Sequence, residues 1–226
     1  MSGLQDGHTA AEHSPCGCAE DFDAIGEAVA SNDGVVYDFR KGKALQRVTW
    51  RLERPVFFVG FMGAGKTSVA RKLARAAGVA SIDMDTYIER RCGMKIREIF
   101  AESGEEGFRS IETETLIELA SGEPRLISCG GGVVLAARNR EVLRQQGYVV
   151  YLMVTAAEAA SRISDVSTRP LFGDLEQAQR VIQGRLPLYE EVADLTIDTG
   201  GRGTGALSRE LLGLLKNEGV LVQVPS

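Results

Sequence analysis

Residues 60–67 (GFMGAGKT) fit the pattern G-x-x-x-x-G-K-[ST]. Glycines let successive backbone amides turn toward one anion, and a following helix adds its positive N-terminal end. Lys66 can then reach the β- and γ-phosphates of a nucleotide, and the Thr67 hydroxyl can bind Mg²⁺. The alternative is a chance match, but the segment lies between an apolar strand and an amphipathic helix, as the motif requires. The pattern therefore predicts nucleotide-phosphate binding.

Two aspartates, Asp83 and Asp85, close the next predicted strand, 80–84. Because side chains alternate along a strand, we expect both to face the same way at its carboxyl end, where ligands of open α/β sheets bind. One carboxylate could support Mg²⁺ and the other could meet an acceptor hydroxyl. The alternative is that Asp85 only caps a helix that begins at Thr86.

Two further segments could bind an anionic second substrate. Arg109 and Glu112 share a face of a predicted helix, so Glu112 can orient a guanidinium that is suited to grip a carboxylate. The alternative for this pair is an exposed ion pair. Three consecutive glycines, 130–132, follow a buried strand, and their bare amides would let a ligand approach closely. The alternative is a flexible loop.

Three other arginines are candidates for a nucleotide or substrate site. Arg169 lies in a polar segment, 164–174, that could close over phosphates as a mobile lid. Arg162 lies near the start of this segment, and Arg185 follows in a predicted helix. Taken singly, each could equally be a solvated surface charge.

The elements that would position these residues begin at Pro55, where short apolar strands alternate with helices. The predicted strands are 56–59, 80–84, 126–129, 149–154 and 195–197. The predicted helices are 67–77, 86–92, 96–101, 106–120, 138–146, 156–163, 175–191 (broken near Gly184 and Pro187) and 205–216. Near-continuously apolar strands separated by helices predict a parallel sheet covered on both faces, here as one domain over 55–217.

Composition excludes several classes of protein. The 226 residues are 44% apolar and 25% charged, which is ordinary for a globular chain, and the net charge of −5 gives no global attraction to nucleic acid or anionic membranes. The longest apolar run, 148–154, is too short to span a bilayer. Four dispersed cysteines and the lack of a secretory signal predict a cytoplasmic location.

Residues 1–54 form a predicted N-terminal extension, either a small docking or regulatory segment or a leftover with no role. Within it we expect a flexible tail over 1–20, a helix over 21–30 and a short strand over 35–37. Half of a zinc site could form from Cys16, Cys18, His8 and His13. No second ligand pair follows at zinc-finger spacing, and residues 218–226 are predicted to be a C-terminal tail.

Taken in order, these motifs resemble the shikimate kinases, P-loop kinases of a small molecule, over about residues 55–215. The matching segments are 60–67, D-M-D at 83–85, G-E-x-x-F-R-x-x-E at 104–112, G-G-G at 130–132, R-P-L at 169–171 and R-x-x-L-Y at 185–189. The resemblance implies a three-layer α/β/α P-loop kinase fold with a five-stranded parallel sheet in the order 2-3-1-4-5 and a mobile lid. It implies ATP, Mg²⁺ and phosphorylation of the 3-hydroxyl of shikimate, giving shikimate 3-phosphate and ADP on the chorismate route to aromatic amino acids.

The resemblance also implies a role for individual residues. Catalytic roles fall to Lys66, Asp85 and Arg169. ATP binding falls to Gly63, Ala64, Gly65, Lys66, Thr67, Ser68, Arg162, Arg169 and Arg202. Shikimate binding falls to Asp85, Arg109, Gly131, Gly132 and Arg185. Support for Mg²⁺ falls to Thr67 and, through water, to Asp83 and Ser128.

This sequence departs from the family pattern at two places: Thr204 stands where a proline often lies, and residues 1–54 have no counterpart. One alternative is another P-loop kinase, acting on gluconate or a nucleoside monophosphate. A second is a nucleotide-dependent switch or an inactive relative. Our prediction is a monomeric enzyme whose partners are shikimate and ATP, with neither nucleic acid nor membrane among them.

Overall fold

The computed structural model describes residues 28–30, 35–38, 43–47, 49–162 and 175–224. The strands are β1 (Ala28–Ala30), β2 (Val35–Asp38), β3 (Lys43–Arg47), β4 (Thr49–Leu52), β5 (Val56–Val59), β6 (Ser81–Asp83), β7 (Leu126–Ser128), β8 (Tyr148–Met153), β9 (Leu195–Asp198) and β10 (Leu221–Val224). The helices are α1 (Lys66–Ala77), α2 (Met84–Cys92), α3 (Ile96–Ser121), α4 (Ala137–Gln146), α5 (Ala156–Arg162), α6 (Leu175–Val192) and α7 (Thr204–Asn217), with a 3₁₀ turn at Val133–Leu135.

A five-stranded parallel sheet forms the centre of the fold. Its strand order is β6-β7-β5-β8-β9, which is 2-3-1-4-5 when the five strands are numbered along the chain. The predicted fold class and strand order are therefore confirmed. β5 lies in the middle and its four side chains are fully buried, because helices cover both faces of a parallel sheet.

Successive side chains along the central strand pack into two different apolar cores, one on each face of the sheet. Phe57 packs in one apolar cluster with residues of α2, α3 and α4, whereas Phe58 packs in the other with residues of α1 and α7. This follows from the alternation of side chains across a strand. The two clusters fix both helical layers against the strands whose carboxyl ends carry the predicted site.

Two predicted helix breaks have different outcomes. α3 runs through both segments predicted as separate helices, but Gly104 inside it has φ 68° and ψ −172°, so the helix is kinked where the sequence indicates an interruption. α6 continues through Pro187, and the predicted break is wrong there. Tyr189 and Val192 anchor the last turn of α6 in the apolar core, which offsets the hydrogen bond that proline removes.

Two strands close the domain outside its predicted limits of 55 and 217. β4 pairs antiparallel with β10, with Leu52 opposite Leu221, and both leucines are buried. Lys216 places its ammonium 3.9 Å from the centre of the Trp50 ring, and burial lowers the pKa of this lysine. Residues 221–224, in the segment predicted as a tail, therefore pair with the end of the predicted extension.

The N-terminal extension contains a three-stranded antiparallel sheet in the order β1-β2-β3. The predicted strand at 35–37 is confirmed, whereas the predicted helix over 21–30 is wrong at 28–30, because these residues pair with 36–38. Cys16, Cys18, the predicted lid and Arg169 lie outside the described residues. Across the ranges described, no helix has the length and apolar character needed to cross a membrane.

Candidate active site

The loop between β5 and α1 is shaped by three glycines with positive φ, at Gly60 (137°), Gly63 (79°) and Gly65 (87°). At Gly60 a side chain is also excluded by contact, since a Cβ there would lie 2.4 Å from the Leu152 carbonyl oxygen. The loop can therefore follow this path only with glycine at that position. Gly65 is the N-cap of α1 and supplies no side-chain cap, so the positive end of the helix is left for a ligand.

Lys66 folds its side chain back across this loop. Its ammonium donates hydrogen bonds to the Gly60 carbonyl at 2.8 Å and the Phe61 carbonyl at 3.0 Å. The residue is buried, with 9% of its surface exposed. The charge is thus held beside the loop amides, where a phosphate would bind. Of the other predicted ATP-binding residues here, Ala64 is buried in the loop and Ser68 is exposed in the first turn of α1.

The structure brings Thr67, Asp83 and Ser128 together from three elements. Thr67 Oγ1 donates to Asp83 Oδ2 at 2.7 Å and lies 3.0 Å from Ser128 Oγ. The cluster offers two hydroxyls and one carboxylate, which are the hard oxygen donors that Mg²⁺ prefers. Among the described residues no group of three or more His, Cys, Asp or Glu side chains could hold a metal by itself. The donor set fits an ion that also binds substrate phosphates.

The surroundings of Asp83 favour its ionised form despite its burial. Burial alone would raise the pKa of this carboxyl, but hydrogen bonds from Thr67, from the amide and hydroxyl of Thr86 and from Ser128 lower it below the ordinary value. Asp83 also caps α2, since its Oδ1 accepts from the Thr86 amide at 3.0 Å. The expectation that Asp85 could cap this helix is therefore wrong.

Asp85 lies in the first turn of α2 and not on the strand with Asp83. The strand-alternation argument for the pair is thus wrong, because β6 ends at Asp83 and α2 begins at Met84, so Asp85 is helical. The Asp85 carboxylate nevertheless lies at the same edge of the sheet. A Cβ built on Gly130 would lie 2.9 Å from Asp85 Oδ1 and 3.1 Å from Glu112 Oε1, so both carboxylates face this glycine.

Arg109 is held by carboxylates on its own helix. Its guanidinium donates to Glu112 Oε2 at 2.6 Å and to Glu105 Oε1 at 3.3 Å. Glu112 is 1% exposed, so the alternative of an exposed ion pair is wrong. Burial raises the pKa of Glu112, against the opposing effect of Arg109. The guanidinium lies 5.3 Å from the centre of the Phe108 ring.

The glycine loop, 130–135, connects Arg109 to the phosphate loop. A Cβ on Gly132 would lie 2.4 Å from Arg109 Nη1, so the guanidinium lies directly against this backbone. A Cβ on Gly131 would lie 3.6 Å from the Met62 amide nitrogen. The glycine triplet leads directly into a 3₁₀ turn at residues 133–135, of which Gly132 is the N-cap.

Arg185 approaches the glycine loop from α6. Its Nη1 donates to the Gly131 carbonyl at 3.2 Å, and the Tyr189 hydroxyl donates to the same oxygen at 2.5 Å. Lys66 is thus bonded to the phosphate loop and Arg185 to the glycine loop, and the two loops lie side by side at Gly131. Of the cations predicted to bind two anions, Lys66, Arg109 and Arg185 lie at one edge of the sheet, and Arg169 is outside the described residues.

Two further arginines lie on the far side of the phosphate loop. Arg162 donates to the Thr199 hydroxyl at 2.9 Å and carbonyl at 2.5 Å, and its Nη1 is 3.5 Å from the Gly63 carbonyl. Arg202 pairs with Glu210 and donates to the Asp198 carbonyl. Arg162 thus touches the phosphate loop, whereas Arg202 is engaged with its own loop and α7.

Sequence reasoning assigned no role to Tyr189 or to Thr199. Thr199 is fully buried and joins Arg162 to the Met153 carbonyl at the end of β8. Tyr189 follows Arg185 by four residues, and residues at this spacing share a helix face. That spacing could have indicated that Tyr189 lies near the site, whereas no nearby residue pattern indicates a role for Thr199.

A search with family models matches residues 62–216 to "Shikimate kinase". The chain is 43% identical over 161 residues to the shikimate kinase of Bordetella pertussis, covering 70% of this chain and 76% of that protein. It is 40% identical over 169 residues to the shikimate kinase of Actinobacillus succinogenes, covering 73% and 97%.

Solved structures give the same result. The shikimate kinase of Acinetobacter baumannii in complex with shikimate matches with a TM-score of 0.68 and 40% identity, covering 73% of this chain and 94% of that chain. The shikimate kinase of Aquifex aeolicus matches with a TM-score of 0.65 and 27% identity, covering 74% and 98%.

Proposed function

The chain belongs to the shikimate kinase family, whose reaction is the ATP-dependent phosphorylation of shikimate in aromatic biosynthesis. From this premise, we propose that the site transfers the γ-phosphoryl group of ATP to the 3-hydroxyl of shikimate. The observation that supports the proposal is that Lys66 bonds to the Gly60 carbonyl and Arg185 to the Gly131 carbonyl, and these two backbone segments lie side by side.

The phosphate half of the site stabilises charge on the transferring group. Lys66, now bonded to the Gly60 and Phe61 carbonyls, is within reach of phosphates bound at the loop amides. Thr67 would contact Mg²⁺ directly, with Asp83 and Ser128 supporting it through water. When bound, Mg²⁺ would neutralise charge on the β- and γ-phosphate oxygens. Arg169 and Arg162 are proposed to contact ATP, as is Arg202 by a weaker argument.

The acceptor half of the site orients shikimate. Arg109 and Arg185 would pair with its carboxylate, since guanidinium groups bind carboxylates through two parallel hydrogen bonds. Gly131 and Gly132 would bring backbone amides to the ring. Asp85 would contact the 3-hydroxyl and accept its proton as phosphoryl transfer proceeds. Phosphoryl transfer depends mainly on such positioning and on charge stabilisation.

A coupled ADP-release assay tests this function. We expect turnover with shikimate and ATP, and none with gluconate or nucleoside monophosphates at the same concentration. Direct detection of shikimate 3-phosphate by mass spectrometry identifies the product. Lys66→Met is the matched negative control, because it removes the cation but keeps a long side chain. Turnover with gluconate or a nucleotide but not with shikimate would contradict the proposal.

Three finer points of the proposal concern the whole enzyme. We propose that it acts as a monomer in the cytoplasm and uses no nucleic-acid or membrane partner. The net charge of −5 supports the absence of polyanionic partners. Size-exclusion chromatography with light scattering, at a concentration where activity is measured, tests the monomer.

A further inference from the structure

The carbonyl groups of the glycine loop, 130–135, are held from two helices by side chains. Besides Gly131, the Val133 carbonyl accepts from Asn139 Nδ2 at 2.9 Å, and the Val134 carbonyl accepts from Arg140 Nη1 at 2.8 Å. In contrast, the hydrogen bonds among the described residues leave the amides of Gly131 and Gly132 unused. The side chains of two helices thus hold the loop by its acceptors, and its two glycine amides remain available as donors.

The Gly131 carbonyl differs from the others because it has two donors. One is Arg185, whose guanidinium is expected to bind the substrate carboxylate, and the other is Tyr189. The bond from Tyr189 is the shorter of the two, 2.5 Å against 3.2 Å. Tyr189 is 1% exposed, and its ring stacks on that of Tyr151 at 5.0 Å. Its hydroxyl is therefore fixed, whereas Arg185 lies on the partly exposed side of α6.

We propose that Tyr189 is a positioning residue for shikimate: its hydroxyl holds the Gly131 carbonyl, so that Arg185 is released to bind the carboxylate without loss of the loop conformation. This inference rests on the proposed function. Without the Tyr189 hydroxyl, Arg185 would be the remaining side-chain donor to the Gly131 carbonyl among the described residues. The carbonyl would then compete with the substrate carboxylate for Arg185, since leaving a buried acceptor unsatisfied is costly. Burial raises the pKa of Tyr189 to about 12, so its hydroxyl keeps its proton near neutral pH.

The test compares two tyrosines that differ in this one contact. Tyr189→Phe removes the hydroxyl that reaches the loop and keeps the stacked ring. Tyr151→Phe is the matched control, because among the described residues the Tyr151 hydroxyl has no hydrogen-bond partner, although the ring is equally buried. Each variant is assayed for the KM of shikimate, the KM of ATP and kcat. Shikimate binding without ATP is measured by calorimetry, and thermal unfolding is followed.

For Tyr189→Phe we expect the KM and Kd of shikimate to rise on the order of 10-fold, as for loss of one partner of a buried hydrogen bond, with the KM of ATP and kcat within about twofold. Tyr151→Phe should match wild type in all four values.

Unchanged shikimate binding in Tyr189→Phe would overturn the inference. So would an equal rise in both KM values, or unfolding of Tyr189→Phe at the assay temperature while Tyr151→Phe stays folded, because each indicates a merely structural tyrosine. Absence of shikimate phosphorylation by the wild-type enzyme would instead overturn the proposed function, so the two failures are distinguishable.

Discussion

Thr67 Oγ1 donates a hydrogen bond of 2.7 Å to Asp83 Oδ2, which joins the first turn of α1 to the end of β6. We expect Thr67→Val to lower kcat on the order of 10²-fold, because it removes the hydroxyl that we propose binds Mg²⁺. The Mg²⁺ concentration that gives half-maximal rate should also rise, as measured by magnesium titration in the ADP-release assay.

Thr86→Val is the control for this prediction. The Thr86 hydroxyl donates a hydrogen bond of 3.0 Å to the other oxygen of the same carboxylate, Asp83 Oδ1. Its loss should leave the magnesium dependence close to that of wild type. Equal magnesium dependence in Thr67→Val and wild type would contradict the assignment of Thr67.

Lys66→Met should fold and lose on the order of 10²-fold or more in kcat, because it removes from a buried site the ammonium that we propose stabilises the transferring group. Steady-state ADP release measures the loss, and circular dichroism checks the fold. Lys72→Met, at an exposed position of the same helix, is the matched control. Retained turnover in Lys66→Met would rule out this role for the loop lysine.

Gly132→Ala tests the contact between the glycine loop and Arg109. Gly132 has φ −99° and ψ 0°, so alanine causes no backbone strain, but its Cβ would lie 2.4 Å from Arg109 Nη1. The guanidinium must shift, and we expect the KM of shikimate to rise by roughly 10-fold, with little change for ATP. Gly213→Ala is the control, because a Cβ there meets open space. A normal shikimate KM in Gly132→Ala would remove Arg109 from the carboxylate site.

Glu112 gives a pH dependence of stability with a defined sign. Burial raises the pKa of Glu112 in the folded state above the ordinary value of 4.5. Between pH 4.5 and this raised pKa, the folded chain therefore binds more protons than the unfolded chain. Its contribution to stability is fully present below pH 4.5 and is lost as pH rises through the raised pKa. The free energy of unfolding of wild type, relative to Glu112→Gln, should therefore fall as pH rises from 4.5.

Urea denaturation at several pH values measures this difference. Glu106→Gln, the same change at an exposed position of α3, is the matched control. A wild-type advantage that grows with pH would show that the Arg109 ion pair outweighs burial at Glu112.

Deletion of the N-terminal extension should depend on where the cut is made. Removing residues 1–48 keeps β4, so we expect a folded and active enzyme. Removing residues 1–54 also removes Leu52 and leaves β10 unpaired. Loss of one buried leucine costs roughly 1.5–3 kcal/mol, and 1 kcal/mol shifts Tm by about 2–4 °C at this size, so Tm should fall by at least about 3 °C. Calorimetry measures the Tm of the two truncated proteins. Equal Tm values would mean that the pairing of β4 with β10 adds no stability.

The central sheet was predictable because its signals are local. β5, β7 and β8 are short, mostly apolar runs that helices separate along the chain, and this order favours a parallel sheet. The pair β4 and β10 was not predictable in the same way. Thr49-Trp50-Arg51-Leu52 alternates polar and apolar residues as a strand does, but nothing local indicates its partner, which lies about 170 residues away. Pairing of residues 28–30 with residues 36–38 likewise overrides the helix that the sequence predicts for 28–30.

The candidate site was predictable where a residue type has one dominant use, as for Lys66 in its loop. It was less so at Asp83 and Asp85, where the end of β6 decides which residue caps the helix. The Thr86 contact fixes that choice, but a strand end is uncertain by a residue or two in sequence. Tyr189 acts through a backbone carbonyl, so its contact depends on the packing of α6 against a loop 58 residues earlier.

The antiparallel register of β4 and β10 sets Thr49 opposite Val224. The points where the polypeptide enters and leaves the kinase fold are therefore neighbours, a few ångströms apart across one ladder. A fold with adjoining entry and exit suits circular permutation: a short linker could join these two points while new termini open at an exposed turn such as Gly122. The same arrangement would let the whole domain be inserted into a loop of another protein without separating the ends of that loop.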